Sequence, residues 1–76
     1  MGAMSTVDVV IRDTAIRLGQ FLKLADAVDQ GSDVKQLLAS GLVSVNGEPE
    51  LRRGRQLKAA DEVVVGRTRY RVTLST

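Results

Sequence analysis

The chain has 76 residues, lacks cysteine and histidine, and carries a formal net charge of +2 at pH 7. A chain of this length can bury only one small hydrophobic core, so we expect a single domain of modest stability. The missing cysteine and histidine exclude disulfides and the usual zinc, haem and iron–sulfur ligand sets, and no cofactor is expected. No apolar run approaches the roughly 20 residues of a transmembrane helix, and no segment reads as a signal peptide, so the composition predicts a soluble cytoplasmic protein without a membrane partner.

The N-terminal residues predict a short remnant followed by a strand. Residues 1–3, ahead of Met4, have the composition of an expression remnant, so the domain is expected to cover residues 4–76. Val7, Val9 and Ile11 then recur at every second position, and this period of two predicts the first strand.

A helical period begins at Ala15 and predicts the first helix. Its apolar stripe is formed by Leu18, Phe21, Leu22, Ala25 and Val28, with Leu24 widening it. We expect this helix to end at Gly31, because glycine readily adopts the left-handed conformation of a helix stop.

The second helix is predicted to follow at once. Ser32 is expected to cap it, and Asp33 places a favourable negative charge at its positive end. Gly41 is expected to end it, and its apolar residues are Val34, Leu37, Leu38 and Leu42. Because the link between the helices is short, we expect a helical hairpin whose two apolar stripes face a common partner.

The pair Asn46-Gly47, which follows a Val-Ser-Val segment, is a strong signal for a β-hairpin. A two-residue loop would place Glu48 and Glu50 opposite the valines, on the face that is expected to be buried. A three-residue loop would place Pro49 and Leu51 there instead. Since one residue of slip exchanges the two faces of a strand, we expect the three-residue loop.

Two more strands are predicted near the end of the chain. They lie at Glu62–Val65 and over residues 69–74, with Gly66-Arg67 as the turn between them. The order of one strand, two helices and several strands predicts an α+β fold, in which a two-helix hairpin packs on a small antiparallel sheet.

Positive charge is concentrated in the second part of the chain. Residues 1–33 carry three cations and five carboxylates, whereas residues 34–76 carry eight cations and four carboxylates. Arg52, Arg53 and Arg55 follow the hairpin within four positions. A solvated face is one reading of such charges, but clustered guanidinium groups favour bidentate phosphate contacts and therefore predict a nucleic-acid partner.

The composition argues against catalysis. Catalytic triads, dyads and zinc motifs need histidine or cysteine, and no phosphate loop of the Walker type follows Gly41 or Gly47. The carboxylates are expected to be solvated surface groups. We therefore expect neither an enzyme nor a metal site.

Residues 16–65 resemble the RNA-binding domain named after the small-subunit ribosomal protein S-four. The matching positions, in the order of that family, are Arg17-Leu18, Ser32, Leu37-Leu38, Gly41, the Val-x-Val-Asn-Gly segment at 43–47, and Asp61 before Val63. The N-terminal strand, the Phe-Leu-Lys-Leu-Ala text at 21–25 and the Arg-Arg-x-Arg run resemble the free-standing bacterial YbcJ-like proteins. Asp33, often arginine in the family, and Ala60, where the family has glycine, depart from the pattern.

The resemblance implies an S-four-like αL motif, in which the paired helices and the loop after the hairpin dock on structured RNA. Ribosomal and transfer RNA are the candidate partners, and we expect a monomer. The residues expected at this interface are Lys23, Lys35, Gln36, Arg52, Arg53, Arg55 and Lys58. The later Arg67, Arg69 and Arg71 are left unassigned, because charge on an edge strand also serves solubility.

Two other functional classes remain open. A helix-turn-helix DNA binder would use the second helix, which offers Lys35 and Gln36 but opens with Asp33. A protein-docking adaptor, acting on the ribosome or on an RNA-processing enzyme, is compatible with the same sequence and could coexist with RNA binding.

Overall fold

The computed structural model describes residues 5–28 and 31–75 of the chain. Its elements, in chain order, are β1 (Ser5–Ile11), β2 (Ile16–Arg17), α1 (Leu18–Leu24), α2 (Gly31–Ala39), β3 (Val43–Val45), β4 (Glu48–Pro49), β5 (Gln56–Leu57), β6 (Glu62–Val65) and β7 (Thr68–Leu74). The expected domain start at Met4 lies outside the described residues. None of the helices in the two described ranges is long and apolar enough to span a membrane.

Five strands form one sheet in the order β1-β7-β6-β3-β4, and β2 pairs with β5 in a separate two-stranded ladder. The predicted strands β1, β6 and β7 are confirmed. The sheet is mixed, however, and the prediction of a purely antiparallel sheet is wrong: β1 runs parallel to β7, with Ser5 opposite Thr68. A parallel pair needs a long crossover, and the whole segment from β2 to β6 supplies it.

One hydrophobic core joins both helices to one face of the sheet. Its buried side chains are Val9, Ile11, Leu18, Phe21, Leu22, Val28, Val34, Leu38, Val43, Val45, Leu57, Val63 and Val72. The ring of Phe21 packs edge-on against Tyr70, with 6.4 Å between ring centroids. Because neighbouring residues of a strand face opposite ways, Arg69 and Arg71 lie on the other face of the sheet. There both pair with Glu62, at 3.7 and 3.1 Å.

Helix α1 is shorter than the apolar stripe predicts, and the predicted stop at Gly31 is wrong. Asp26 adopts the left-handed conformation (φ 62°) two residues after Leu24. The Asp26 and Ala27 N–H groups then donate to the carbonyls of Lys23 and Leu22, at 3.1 and 2.9 Å, which is the hydrogen-bond pattern of a Schellman stop. Aspartate tolerates this conformation better than most residues, so the helix ends there although Val28 continues the buried stripe.

Helix α2 contacts α1 and buries Val34 and Leu38. Gly41 ends it as predicted, with a positive φ of 81°. Leu42, predicted to extend the apolar stripe, lies beyond the helix and is exposed. The Ser32 side chain and its predicted cap lie outside the described residues, and Gly31 belongs to this helix.

The hairpin of β3 and β4 has the two-residue loop, so the predicted three-residue loop is wrong. Val45 pairs with Glu48, and Asn46 and Gly47 both have positive φ (51° and 87°), as a type I′ turn requires. Glu50 therefore enters the buried side, and its N–H donates to the Val43 carbonyl at 3.1 Å. The prediction failed because it treated a carboxylate on the buried face as unpaired.

Candidate nucleic-acid interface

Residues 51–55, called here the arginine loop, are held directly against the start of α1. The N–H groups of Leu18 and Gly19 donate to the carbonyls of Arg55 and Arg53, at 2.8 and 2.9 Å. A Cβ atom at Gly19 would lie 3.4 Å from the Arg53 Cβ and 3.5 Å from the Val34 Cγ1. Gly19 thus marks the point at which α1, α2 and the arginine loop meet.

The buried Glu50 carboxylate organises the arginine loop. Its Oε2 accepts the backbone N–H groups of Leu51 and Arg52 and the Arg52 Nε, each at 3.1 Å. Its Oε1 accepts the Arg55 Nη1 at 2.8 Å and the Arg52 Nη2 at 3.4 Å. Five donors therefore converge on one carboxylate whose side chain is only 7% exposed. Burying this charge is tolerated because its acceptor sites are filled.

These contacts set the protonation of the site. Hydrogen bonds from the Arg52 side chain, then the Arg55 side chain, then the Arg52 backbone lower the pKa of Glu50 from 4.5 to about 2, against the opposing effect of burial. The same hydrogen bond raises the pKa of Arg52. Glu50 therefore stays ionised, and the loop stays fixed, throughout the neutral and mildly acidic range.

A groove of about 250 Å³ lies beside the loop. It is lined by Arg17, Gly19, Gln20, Lys23, Val34, Arg53 and Gly54, and we call it the polar groove. Three of these residues are cations, from β2, α1 and the arginine loop. Within the described ranges no carboxylate oxygen lies within 4 Å of the Arg53 guanidinium, so its charge is available to an anionic ligand.

A second depression lies on the other side of Arg53. It is lined by Lys35, Leu38, Ala39, Leu51 and Arg53, and we call it the Leu51 concavity. Arg53 is thus shared by both depressions, with Lys23 on one side and Lys35 on the other. The two depressions therefore share one cation, and Lys23 lines the polar depression while Lys35 lines the more apolar one.

The family follows from the sequence comparison. A model of the S4 domain family matches residues 9–73. The chain belongs to the S4 domain family. This S4 domain is 50% identical over 50 residues to the "Probable ribosome maturation protein RlbA" of Bacillus subtilis (strain 168), covering 66% of this chain and 70% of that protein. The resemblance read from the sequence is confirmed at the level of the S4 family.

A solved structure supports the fold. The crystal structure of the 30S ribosomal protein S4e from Thermoplasma acidophilum aligns with a TM-score of 0.60 and 23% sequence identity. The alignment covers 79% of this S4 domain but 32% of the ribosomal protein, so the chain spans about a third of that structure. At this identity the likeness shows the fold alone.

The S4 domain brings together three of the seven residues predicted for the interface: Lys23, Lys35 and Arg53. Arg52 and Arg55 lie on either side of Arg53 in sequence but share the Glu50 carboxylate. The Arg52 side chain is nevertheless 76% exposed, whereas that of Arg55 is 32% exposed. Arg52 therefore remains accessible to solvent although it lines neither depression, whereas Arg55 is mostly covered within the loop.

The remaining two predicted residues line other depressions, each with a carboxylate. Gln36 lies in one with Asp33, and Lys58 lies in one with Asp61. The Asp61 Oδ2 also accepts the Lys58 backbone N–H at 2.9 Å. The negative charge nearby makes both places less suited to a phosphate than the surface around Arg53.

Sequence reasoning missed Arg17, Gln20 and Glu50. Arg17 belongs to the Arg-Leu pair that carries the family resemblance, and that was the available signal. Gln20 lies one helical turn before Lys23 on α1, so spacing alone places it on the same face. Glu50 was visible as the residue that a two-residue hairpin loop would bury.

Proposed function

We propose that this S4 domain is a non-catalytic RNA-binding protein that docks on structured RNA through the surface around Arg53. The direct contacts come from Arg17, Lys23, Lys35 and Arg53, with the solvent-accessible Arg52 next to Arg53 in the loop. The observation that carries the proposal is the position of Arg53, whose backbone is hydrogen-bonded to α1 at Gly19 while its side chain borders both depressions. In this arrangement the two helices and the loop act as the αL motif expected from the sequence.

Phosphate contacts would supply most of the affinity. Five cations contacting irregular or single-stranded RNA give a slope of about −3.5 for log affinity against log salt concentration, since each contact contributes about −0.7. Phe21 is fully buried and Tyr70 packs against it, so neither ring is free to stack on splayed bases. Recognition of RNA shape and backbone is therefore the mode that the side chains favour.

Ribosomal RNA is the proposed class of partner. The relative in Bacillus subtilis is named for ribosome maturation. We propose that this S4 domain acts as a monomer in the cytoplasm, on ribosomal RNA or its precursors. The adaptor role remains an alternative, and a charge-reversal experiment separates it from RNA binding.

The test is a charge reversal with a matched control. Lys23→Glu/Arg53→Glu changes two cations of the polar groove, whereas Arg12→Glu/Arg67→Glu makes the same change in net charge at exposed positions in other parts of the surface. Affinity for purified ribosomal RNA is measured by fluorescence anisotropy at several salt concentrations. The groove variant should lose at least two contacts, so its salt slope should become flatter by about 1.4 or more, while the control keeps the steeper slope.

The circular dichroism spectra of both variants must match that of the wild type for the comparison to hold. Equal losses of affinity in the two variants would show that only net charge matters and would refute this interface. Retained RNA affinity in a folded groove variant would favour the adaptor role.

A further inference from the structure

The Leu51 concavity has the composition of a ligand site. Its apolar floor is formed by the exposed Ala39 and Leu51 above the buried Leu38, and Lys35 and Arg53 form its charged rim. Its volume of about 440 Å³ lies within the range of about 300–1,000 Å³ that is usual for small-ligand sites.

Leu51 is held in this exposed position by the loop itself. Its side chain is 65% exposed, and its backbone N–H donates to the Glu50 Oε2 at 3.1 Å. The same carboxylate fixes Arg52 next to it. The apolar side chain is therefore presented to solvent on a rigid support rather than on a free loop.

Charge distinguishes this concavity from the depressions at Leu42 and at Lys58. The depression at Leu42 contains Asp33, and the one at Lys58 contains Asp61. The Leu51 concavity is lined by two cations and no carboxylate. An apolar floor with a cationic rim complements a molecule that has an apolar face and a negative group.

We infer that the Leu51 concavity receives one unpaired nucleotide of the bound RNA, with its base against Leu51 and Ala39 and its phosphate between Lys35 and Arg53. The inference rests on the proposed RNA-binding function and adds the kind of RNA feature that is recognised. A nucleotide combines a base that has two apolar faces with a phosphate joined to it through the ribose, so it meets both parts of the concavity at once. Aliphatic side chains here take the place of aromatic rings, since Phe21 is buried in the core and the partly buried Tyr70 packs against it.

The experiment uses three RNA hairpins with the same stem. One stem is fully paired, one has a single bulged nucleotide, and one has the same bulge without its base. The full chain should bind the bulged RNA about tenfold more tightly than the other two, which corresponds to about 1.4 kcal/mol. Leu51→Ala should lose this preference but keep its affinity for the paired stem and its salt slope, because no charge is changed.

Leu42→Ala is the matched control. Leu42 is also exposed, at 56%, but it lies in the depression with Asp33. This variant should keep the tenfold preference for the bulge. Both truncations are at the surface, so both variants should fold.

The outcomes separate the two proposals. Equal affinity of the wild type for all three RNAs would overturn the nucleotide site and leave the proposed function standing. No binding to any of them or to ribosomal RNA would refute the proposed function and the nucleotide site together. A Leu51→Ala variant that keeps its bulge preference, or that loses only binding to a ribosomal protein, would overturn the nucleotide site and assign the concavity to an apolar protein segment.

Discussion

Glu50→Gln removes one negative charge from beneath the arginine loop while nearly preserving the size of the side chain. The neutral amide cannot accept all five hydrogen bonds that converge on the carboxylate, and its NH₂ group faces other donors. Simple electrostatics predicts that losing a negative charge strengthens the binding of RNA. The structure predicts in addition that the substitution lowers the free energy of unfolding, because the charged carboxylate accepts the hydrogen bonds that hold the arginine loop in place.

The magnitude follows from the pKa of Glu50. Its lowering from 4.5 to about 2 corresponds to about 3 kcal/mol of folding free energy at neutral pH. Because the Arg52 side chain is 76% exposed, solvent screening reduces the expected loss to about 2 kcal/mol. The Glu50 pKa is lower in the folded than in the unfolded chain, so this contribution is complete above about pH 4.5 and disappears as the pH falls towards about 2.

Urea unfolding followed by far-UV circular dichroism measures the effect at neutral pH and at steps into the acid range. The wild type should exceed Glu50→Gln by about 2 kcal/mol at pH 7, and the two curves should converge between about pH 4.5 and pH 2. Glu48→Gln is the control, because Glu48 is exposed in the same hairpin and makes no ion pair within the described ranges. Equal stability of wild type and Glu50→Gln at pH 7, or parallel curves down to pH 2, would refute the role given to Glu50.

Three further predictions concern single residues. Ala60 has a positive φ of 78°, so Ala60→Gly should raise the free energy of unfolding by up to about 1 kcal/mol. Ala59→Gly should lower it, and thermal unfolding of the two variants is the check. Gly54 lines the polar groove, and a methyl group added there would meet open space. Gly54→Ala should therefore change the free energy of unfolding by less than about 0.5 kcal/mol, yet it should weaken RNA binding in the anisotropy assay. Unchanged affinity would place the RNA elsewhere. Leu57 is fully buried, so Leu57→Ala should cost about 2–5 kcal/mol in urea unfolding, and a smaller loss would show that the β2–β5 ladder is not part of the core.

The strands were the most predictable part of the fold. Val9, Ile11, Val63 and Val72 have β-branched side chains at alternating positions, and all four are buried as the pattern predicts. The direction of β1 was not predictable, because alternation fixes the faces of a strand but not its orientation relative to a partner distant in sequence. Only tertiary packing sets the parallel register of Ser5 with Thr68.

The two wrong local predictions have a common cause. A helix stop was expected at a glycine, but Asp26 takes the left-handed position, and a carboxylate was kept out of the core, but Glu50 lies there. In both cases a polar residue occupies a position for which residue propensities favour another type, namely glycine at the helix stop and an apolar residue in the core. The helix carbonyls are satisfied by two hydrogen bonds at the first position, and five donors satisfy the carboxylate at the second.

The candidate site was predictable as a charge cluster but not as a geometry. Sequence located the arginines and the two helical lysines, yet it gave equal weight to Arg52, Arg53 and Arg55. Their difference depends on Glu50, which engages Arg52 and Arg55 and leaves Arg53 between Lys23 and Lys35. That distribution follows from the register of the hairpin, which a one-residue slip would have changed.

The position of β7 has a consequence for biosynthesis. Among the strands in the described residues it comes last in sequence, yet it lies between β1 and β6 and is hydrogen-bonded to both. Until the ribosome has synthesised Thr68–Leu74, β1 has no neighbour in the sheet and β6 keeps an open edge. A nascent chain therefore cannot complete this five-stranded sheet before β7 has been synthesised.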